Sequence, residues 1–254
     1  MITTNIVSDV RNQFSLLLRE QQFTSINREA SMTSLMGNKT IEIIGANFDA
    51  DDVSIFGKVN ESYVKRESEW YHSMSRNVND FPGGAPEVWK AIAAKDGTIN
   101  SNYGFCVWSG DNYKQYNKVL CELRKNPESR RAVMIYTRPT MWFDYNHNGR
   151  SDFMCTNVVQ YVIRNGSVHC VVQMRSNDSV IGYKNDRAWQ EEVLQKVADA
   201  LNLPMGKIHW QVGSLHVYQR DFYLVDHYDR TGESIITKAR YRELYPESPY
   251  SEKT

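Results

Sequence analysis

Apolar residues recur every three or four positions at Val10, Phe14, Leu17 and Leu18, which predicts an amphipathic helix over residues 7–23. The polar, breaker-rich run 21–38 reads as a loop, and Thr40 to Phe48 reads as a strand. Residues 61–74 read as a helix with Tyr63, Trp70 and Met74 among its buried positions. Pro82-Gly83-Gly84 marks a loop over 80–85, and Pro86 suits the first turn of a helix over 87–95. A further helix over 111–124 ends at Asn126-Pro127. Ala132 to Thr137 reads as a short strand. Ala188, Trp189, Val193, Val197 and Leu201 share a helix face that stops near Pro204, and Ile208, Trp210 and Val212 alternate as a strand. With no repeat, low-complexity block or linker in evidence, the pattern predicts one α+β domain over residues 1–254.

The strongest local signal is a hairpin. Residues 157–163 and 168–173 are apolar runs flanking Asn165-Gly166, the dipeptide that two-residue hairpin loops favour. Such a loop pairs Arg164 with Ser167. Counting outward sets Cys155 opposite Ser176 and next to Arg175. A guanidinium beside a thiol favours the thiolate, so Cys155 reads either as an activated nucleophile with an anion-binding arginine at its side or as a small buried hydrophobe.

Composition narrows the partners. Lys+Arg and Asp+Glu balance at 30 each over 254 residues, so no net charge draws the molecule to nucleic acid or a membrane surface, and phosphate binding must come from local arginines. Fifteen tyrosines and six tryptophans supply a large core. Cys106, Cys121, Cys155 and Cys170 show neither CxxC pairs nor zinc spacing, and residues 1–10 lack the apolar stretch of a signal peptide. A cytoplasmic chain with free thiols, no metal and no membrane span is expected.

Other clusters have bland readings as well as chemical ones. Asp144-Tyr145-Asn146-His147-Asn148-Gly149 imitates the opening of a calcium loop, but its twelfth position is Cys155 rather than Glu, so a plain turn is expected. Arg130 and Arg131 are a solvated pair or, beside the apolar strand that follows, a bidentate phosphate clamp. His216 and Tyr218 alternate along a strand and so share a face. Glu67 reads as a solvated helix glutamate, and Trp89 and Tyr103 as packing aromatics. Asp186 reads as an ordinary acid at a helix N-terminus.

Taken together, Arg175-Ser176-Asn177-Asp178, Ile181-Gly182-Tyr183-Lys184-Asn185-Asp186 and Gly213-Ser214-Leu215-His216-Val217-Tyr218 resemble, in order and spacing, the Arg-Ser-x-Asp, Leu-Gly-x-Pro-Phe-Asn and Gly-Asp-x-His-x-Tyr motifs of the thymidylate synthase family. Residues 39–45, 99–104, 129–138 and 151–157 are closer to the bacteriophage deoxycytidylate hydroxymethylase branch, and the likeness runs from about Lys39 to Glu233.

The resemblance implies a thymidylate synthase-like fold, with a mixed sheet, flanking helices and one sheet face packed in a homodimer with shared active sites. It implies that the Cys155 thiolate attacks C6 of a pyrimidine, making C5 nucleophilic toward the one-carbon unit of 5,10-methylenetetrahydrofolate. Arg175 and Ser176 then hold the nucleotide phosphate, with Arg130 and Arg131 reaching it from the partner subunit. His216 and Tyr218 bond the sugar hydroxyl. Glu67 organises water, Tyr103 assists proton removal at C5, and Trp89 and Asp178 contact the folate. Asp186 stands where the synthases carry Asn. A side-chain amide pairs with uracil, whereas a protonated carboxyl donates to N3 of cytosine and accepts from its 4-amino group.

The expected reaction is therefore hydroxymethylation of dCMP. Thymidylate synthesis, hydroxymethylation of dUMP or CMP, and a non-catalytic nucleotide sensor are the alternatives. Direct nucleic-acid or membrane binding is not expected, and membership of a larger nucleotide-synthesis complex stays open. Thr156 replaces the histidine that follows the synthase cysteine, Ile92 replaces a second tryptophan, and the tail from Pro249 is polar, pointing to a wetter site that favours water over hydride. Arg28 is a weak match to the early phosphate-binding arginine. A phage source would place the protein in its host's cytoplasm.

Overall fold

The computed structural model describes residues 5–25, 37 and 39–251; Arg28 and most of the loop expected over 21–38 lie outside them. The fold is α+β, with a mixed six-stranded sheet and helices. The strands are β1 (Thr24–Ser25), β2 (Lys39–Asp49), β3 (Val133–Ile135), β4 (Thr156–Arg164), β5 (Ser167–Asp178) and β6 (Met205–Tyr218), hydrogen-bonded in the order β1-β2-β6-β5-β4-β3. The chain forms two compact units.

One unit comprises Met1–Val59, Ser176–Arg187 and Trp210–Thr254. Its helix α1 (Val7–Arg19) buries Val7, Val10, Phe14 and Leu18, the stripe the spacing predicted. It stops four residues short of the expected end because Gln21 takes φ 53°, outside helical space. Phe14 is fully buried and meets Phe56 edge-on at 6.1 Å. Phe14→Ala is expected to cost about 3–5 kcal/mol, read as a lower urea midpoint with an unchanged slope. On the same helix, Arg11 pairs with Asp52 at 2.6 Å and donates to the Ile55 carbonyl. Helices α8 (Phe222–Thr231) and α9 (Lys238–Leu244) complete this unit's later segment.

The other unit comprises Asn60–Arg175 and Ala188–His209. Asn60 caps α2 (Glu61–Ser73), accepting from the Tyr63 amide at 3.0 Å. This helix buries Glu67, Trp70 and Tyr71. Tyr63 is only half-buried and Met74 is 39% exposed, contrary to the predicted buried face; Met74 ends the helix in the left-handed region and turns outward. Helix α3 (Glu87–Ile92) is shorter than expected because Ala93 is extended, and Pro86 caps it rather than opening its first turn.

A helix the pattern did not reveal, α4 (Tyr103–Trp108), is capped by Asn102. Gly104 is required there, since a Cβ would lie 1.8 Å from the Tyr71 carbonyl oxygen. Helix α5 (Gln115–Lys125) begins four residues later than expected because Tyr113 and Lys114 both take positive φ. Helix α6 (Met141–Asp144) is a single turn. Helix α7 (Gly182–Leu201) begins at Gly182, so the 181–186 motif is helical from its second residue, with Ile181 in the preceding turn.

The hairpin forms as predicted from Arg164↔Ser167 up to Val158↔Gln173. Beyond that a β-bulge offsets the register, so that Thr156 pairs with Met174. Cys155 consequently faces Arg175, whose amide donates to the Cys155 carbonyl at 2.9 Å, rather than Ser176 as regular counting gave.

Candidate active site

Cys155 sits at the mouth of β4, half-buried, delivered by a loop that is locked in place from below. The lock is Asp152, 3% exposed, which accepts from the amides of Asn100 (2.6 Å) and Ser101 (2.9 Å) and from the Ser101 hydroxyl (2.6 Å). Nearby, Arg150 donates to the Asn100 side chain at 2.7 Å. Asp144, the first residue of the calcium-loop imitation, is engaged by Arg138 at 2.7 Å.

Arg175 closes over the thiol. Its Nη2 lies 3.6 Å from Cys155 Sγ and also donates to the Phe153 carbonyl, while Nε donates to the Met154 carbonyl at 3.0 Å. Its guanidinium lies over the Phe153 ring at 5.0 Å. The arginine is thus positioned twice, by carbonyls and by an aromatic face, before it meets any anion. Beside it lies a cleft of about 740 Å³ lined by Arg138, Trp142, Tyr145, Phe153 and Asn157 among others.

In the same unit, Glu67 is 5% exposed and accepts from the Tyr63 hydroxyl at 2.6 Å, one helical turn earlier. Tyr63 in turn accepts from the Trp89 indole N–H at 2.9 Å. Glu67 is therefore part of a three-residue chain and not the solvated glutamate its helix position suggested. Burial pushes its carboxyl up to about 7, with the Tyr63 and Trp89 hydrogen bonds opposing. Such an acid can take or give a proton near neutrality.

The raised value also has a stability consequence. A group whose folded pKa is raised stabilises the fold below its unfolded value of 4.5, and that contribution is lost as pH rises through about 7. The rise corresponds to about 3 kcal/mol, at about 1.4 kcal/mol per tenfold. Glu67→Gln cannot ionise, so its stability relative to the parent is expected to grow between pH 5 and pH 8, measured as urea midpoints at each pH.

Trp89 is half-buried and meets Trp70 edge-on at 5.5 Å. Tyr103, 4% exposed, stacks on Tyr71 at 5.3 Å and meets Tyr136 edge-on at 5.3 Å. Thr156 is fully buried. Arg130 and Arg131 are exposed, and Arg131 pairs with Glu122 at 3.0 Å.

The other unit carries the remaining candidates. Ser176 is half-buried. Asp178 Oδ1 accepts from the amides of Val180 (2.8 Å) and Ile181 (3.3 Å), shaping the turn into α7, and Oδ2 meets Arg220 at 3.5 Å. Asp186, half-buried, accepts from the Asn177 side-chain amide at 2.8 Å. His216 and Tyr218 are both buried and touch edge-on at 4.8 Å, as their shared face required.

The structure thus groups Cys155 with Arg175, Glu67 with Trp89 through Tyr63, Asp186 with Asn177, and His216 with Tyr218. Sequence reasoning missed Tyr63, Asn177 and Arg220 as partners. The four-residue spacing of Tyr63 and Glu67 on a helix is a signal that was present for the first. Among the described residues, no group of three or more His, Cys, Asp or Glu could hold a metal ion, and no helix is long and apolar enough to cross a membrane.

The profile of the thymidylate synthase family matches residues 33–239. Deoxycytidylate 5-hydroxymethyltransferase of Enterobacteria phage T4 is 52% identical over 246 residues, covering 94% of this chain and 97% of the relative. The protein of the same name from Enterobacteria phage T2 is 52% identical over 242 residues, covering 92% and 95%. A solved structure, thermostable thymidylate synthase A from Bacillus subtilis, superposes with a TM-score of 0.63 over 86% of this chain and 83% of its own, at 22% identity, which establishes the fold. The motifs around Arg175, Asp186 and His216, the fold, and identity at half of all positions along nearly the whole length agree: this chain belongs to the thymidylate synthase family.

Proposed function

We propose that this protein is a deoxycytidylate 5-hydroxymethyltransferase, converting dCMP, water and 5,10-methylenetetrahydrofolate to 5-hydroxymethyl-dCMP and tetrahydrofolate. The observation that carries the reading is a cysteine with an arginine guanidinium 3.6 Å from its sulfur, in a chain half identical to two phage relatives of that name.

Cys155 adds to C6 of the base, forming a C–S bond and leaving C5 as an enamine carbon. Asp186, protonated, donates to N3 and accepts from the 4-amino group, which withdraws electrons and favours that addition. The folate supplies the one-carbon unit at the oxidation level of formaldehyde. C5 bonds to that carbon; Tyr103 assists loss of the C5 proton, and tetrahydrofolate departs to leave an exocyclic methylene on the base. Water ordered by Glu67 adds to that methylene. A carboxyl held near neutral pKa suits the task, since it accepts one proton from the water. The C6–S bond then breaks and restores the ring.

Arg175 and Ser176 bind the phosphate, and His216 and Tyr218 the sugar hydroxyl. Trp89 and Asp178 hold the folate. The half-buried indole of Trp89, propped edge-on by Trp70, suits a flat heterocycle, and Asp178 Oδ2, which meets Arg220 at 3.5 Å, can also accept from a ring N–H.

The 1–254 chain acts in this reading as a single catalytic domain in a homodimer packed through one sheet face, with Arg130 and Arg131 reaching the partner's phosphate. Exposed Ile135 (59%), Trp142 (70%) and Phe143 (79%) support a covered face on this part of the protein. The likeness to phage enzymes supports a location in the cytoplasm of an infected bacterium.

The test is incubation with dCMP, dUMP or CMP and the folate, followed by mass analysis. 5-Hydroxymethyl-dCMP is the expected product; dTMP from dUMP, with dihydrofolate, would replace this reading with thymidylate synthesis.

A further inference from the structure

Ser214 stands at the acidic position of the Gly-Asp-x-His-x-Tyr motif, two residues before His216. The structure brings a carboxyl group to that serine from the neighbouring strand. Glu42 lies on β2, and Ser214 and His216 lie on β6, strands that are hydrogen-bonded side by side. Glu42 and Ser214 are half-buried, and Ser214 Oγ donates to Glu42 Oε1. The same Oγ lies 3.4 Å from His216 Nδ1, and the Ser214 carbonyl oxygen lies 3.3 Å from that nitrogen.

Counting protons gives the arrangement a direction. A hydroxyl has a single proton, and that of Ser214 points to Glu42, so its oxygen faces the ring as an acceptor. A backbone carbonyl only accepts. Two acceptors of one residue therefore converge on Nδ1, which donates to them whether the ring is neutral or charged. Tyr218 meets the same ring edge-on at 4.8 Å, so its direction is set by both neighbours. Without an acceptor at position 42, the Ser214 hydroxyl can turn its proton toward Nδ1 and oppose that donor. His216 is 6% exposed, so bulk water does not make good the loss.

We propose that Glu42 is a positioning residue: through the Ser214 hydroxyl it fixes the orientation of the His216 ring, and with it the grip on the 3′-hydroxyl of the nucleotide sugar. This rests on the role given to His216 above.

The experiment compares the full-length protein with Glu42→Leu, which has no acceptor, and Glu42→Gln, whose amide oxygen still accepts. Dissociation constants are measured by calorimetry for dCMP and for its 2′,3′-dideoxy counterpart, which lacks the sugar hydroxyl. In Glu42→Leu the preference for dCMP over the dideoxy nucleotide is expected to fall about fivefold or more, the factor that loss of one ordinary hydrogen bond produces. The fall should come from weaker dCMP binding, with dideoxy binding held within about twofold. Glu42→Gln is expected to keep the parent preference within about twofold, since its oxygen takes the same hydrogen bond. In a Ser214→Ala background, Glu42→Leu is expected to change nothing further, because no hydroxyl remains to be directed.

Equal weakening of both nucleotides, an unchanged preference, a loss in Glu42→Gln as deep as in Glu42→Leu, or an undiminished effect in the Ser214→Ala background would each overturn the proposal. If Glu42→Leu does not fold, Glu42→Ala carries the same comparison. A parent protein that binds dCMP and the dideoxy nucleotide alike overturns the His216 reading and this one with it; a parent preference that survives in Glu42→Leu overturns this one alone.

Discussion

Cys155→Ser is expected to abolish product formation, lowering turnover of dCMP by about 10³-fold or more while dCMP binding stays within a few-fold of the parent. The hydroxyl keeps nearly the same shape but is a far weaker nucleophile near neutrality than a thiolate, and the nucleophile is the group whose loss costs most in enzymes that form covalent intermediates. The hydrogen bonds that hold the surrounding loop should survive, because they run from Asp152 to Asn100 and Ser101 and from Arg175 to the carbonyls of Phe153 and Met154. The decisive readout is release of the C5 proton, followed as tritium, alongside 5-hydroxymethyl-dCMP by mass. Undiminished release in the serine variant would remove covalent addition from the mechanism.

Asp186→Asn is expected to exchange the substrate. An amide donates from nitrogen and accepts at oxygen without titrating, so with its N–H₂ toward O4 and its oxygen toward N3–H it pairs with uracil and opposes cytosine at both positions. A site built to hydrogen-bond one pattern rejects the other strongly, by about 10⁴-fold in favourable cases. Turnover of dCMP should fall by about 10³-fold or more, and C5 exchange of dUMP should become measurable. Parallel loss of both nucleotides would assign Asp186 a structural role instead.

Much of this was legible in the chain because the signals were local. The Asn165-Gly166 turn sets the hairpin register for seven pairs, which brings Cys155 to within one residue of Arg175; the bulge supplies the last step. The apolar stripes of α1 and α7 need only a spacing of three and four. What was not legible depends on single backbone choices with no periodic trace. The bulge at residues 156–158 is one; left-handed Tyr113 and Lys114, which delay α5, are another. Helix α4 has six residues, too few for a pattern, and depends on the Asn102 cap and on Gly104 lying against the Tyr71 carbonyl. In the site, Glu67 and Asp186 were singled out by likeness to a family. Their supporting residues, Tyr63 and Asn177, were not, because support comes from which side chain packs within reach and motifs do not record that.

The bulge leaves the Asn157 carbonyl turned toward the end of β3, where it accepts from the amides of both Tyr136 (2.9 Å) and Thr137 (3.3 Å). One oxygen thus tethers two consecutive amides two residues from the reactive sulfur. The segment so tethered begins just after Arg130 and Arg131, so a pull on those guanidiniums has only a few stiff, extended residues to cross before it tugs on the base of the nucleophile. Hydrogen exchange at those two amides and the alkylation rate of Cys155 should therefore rise and fall together.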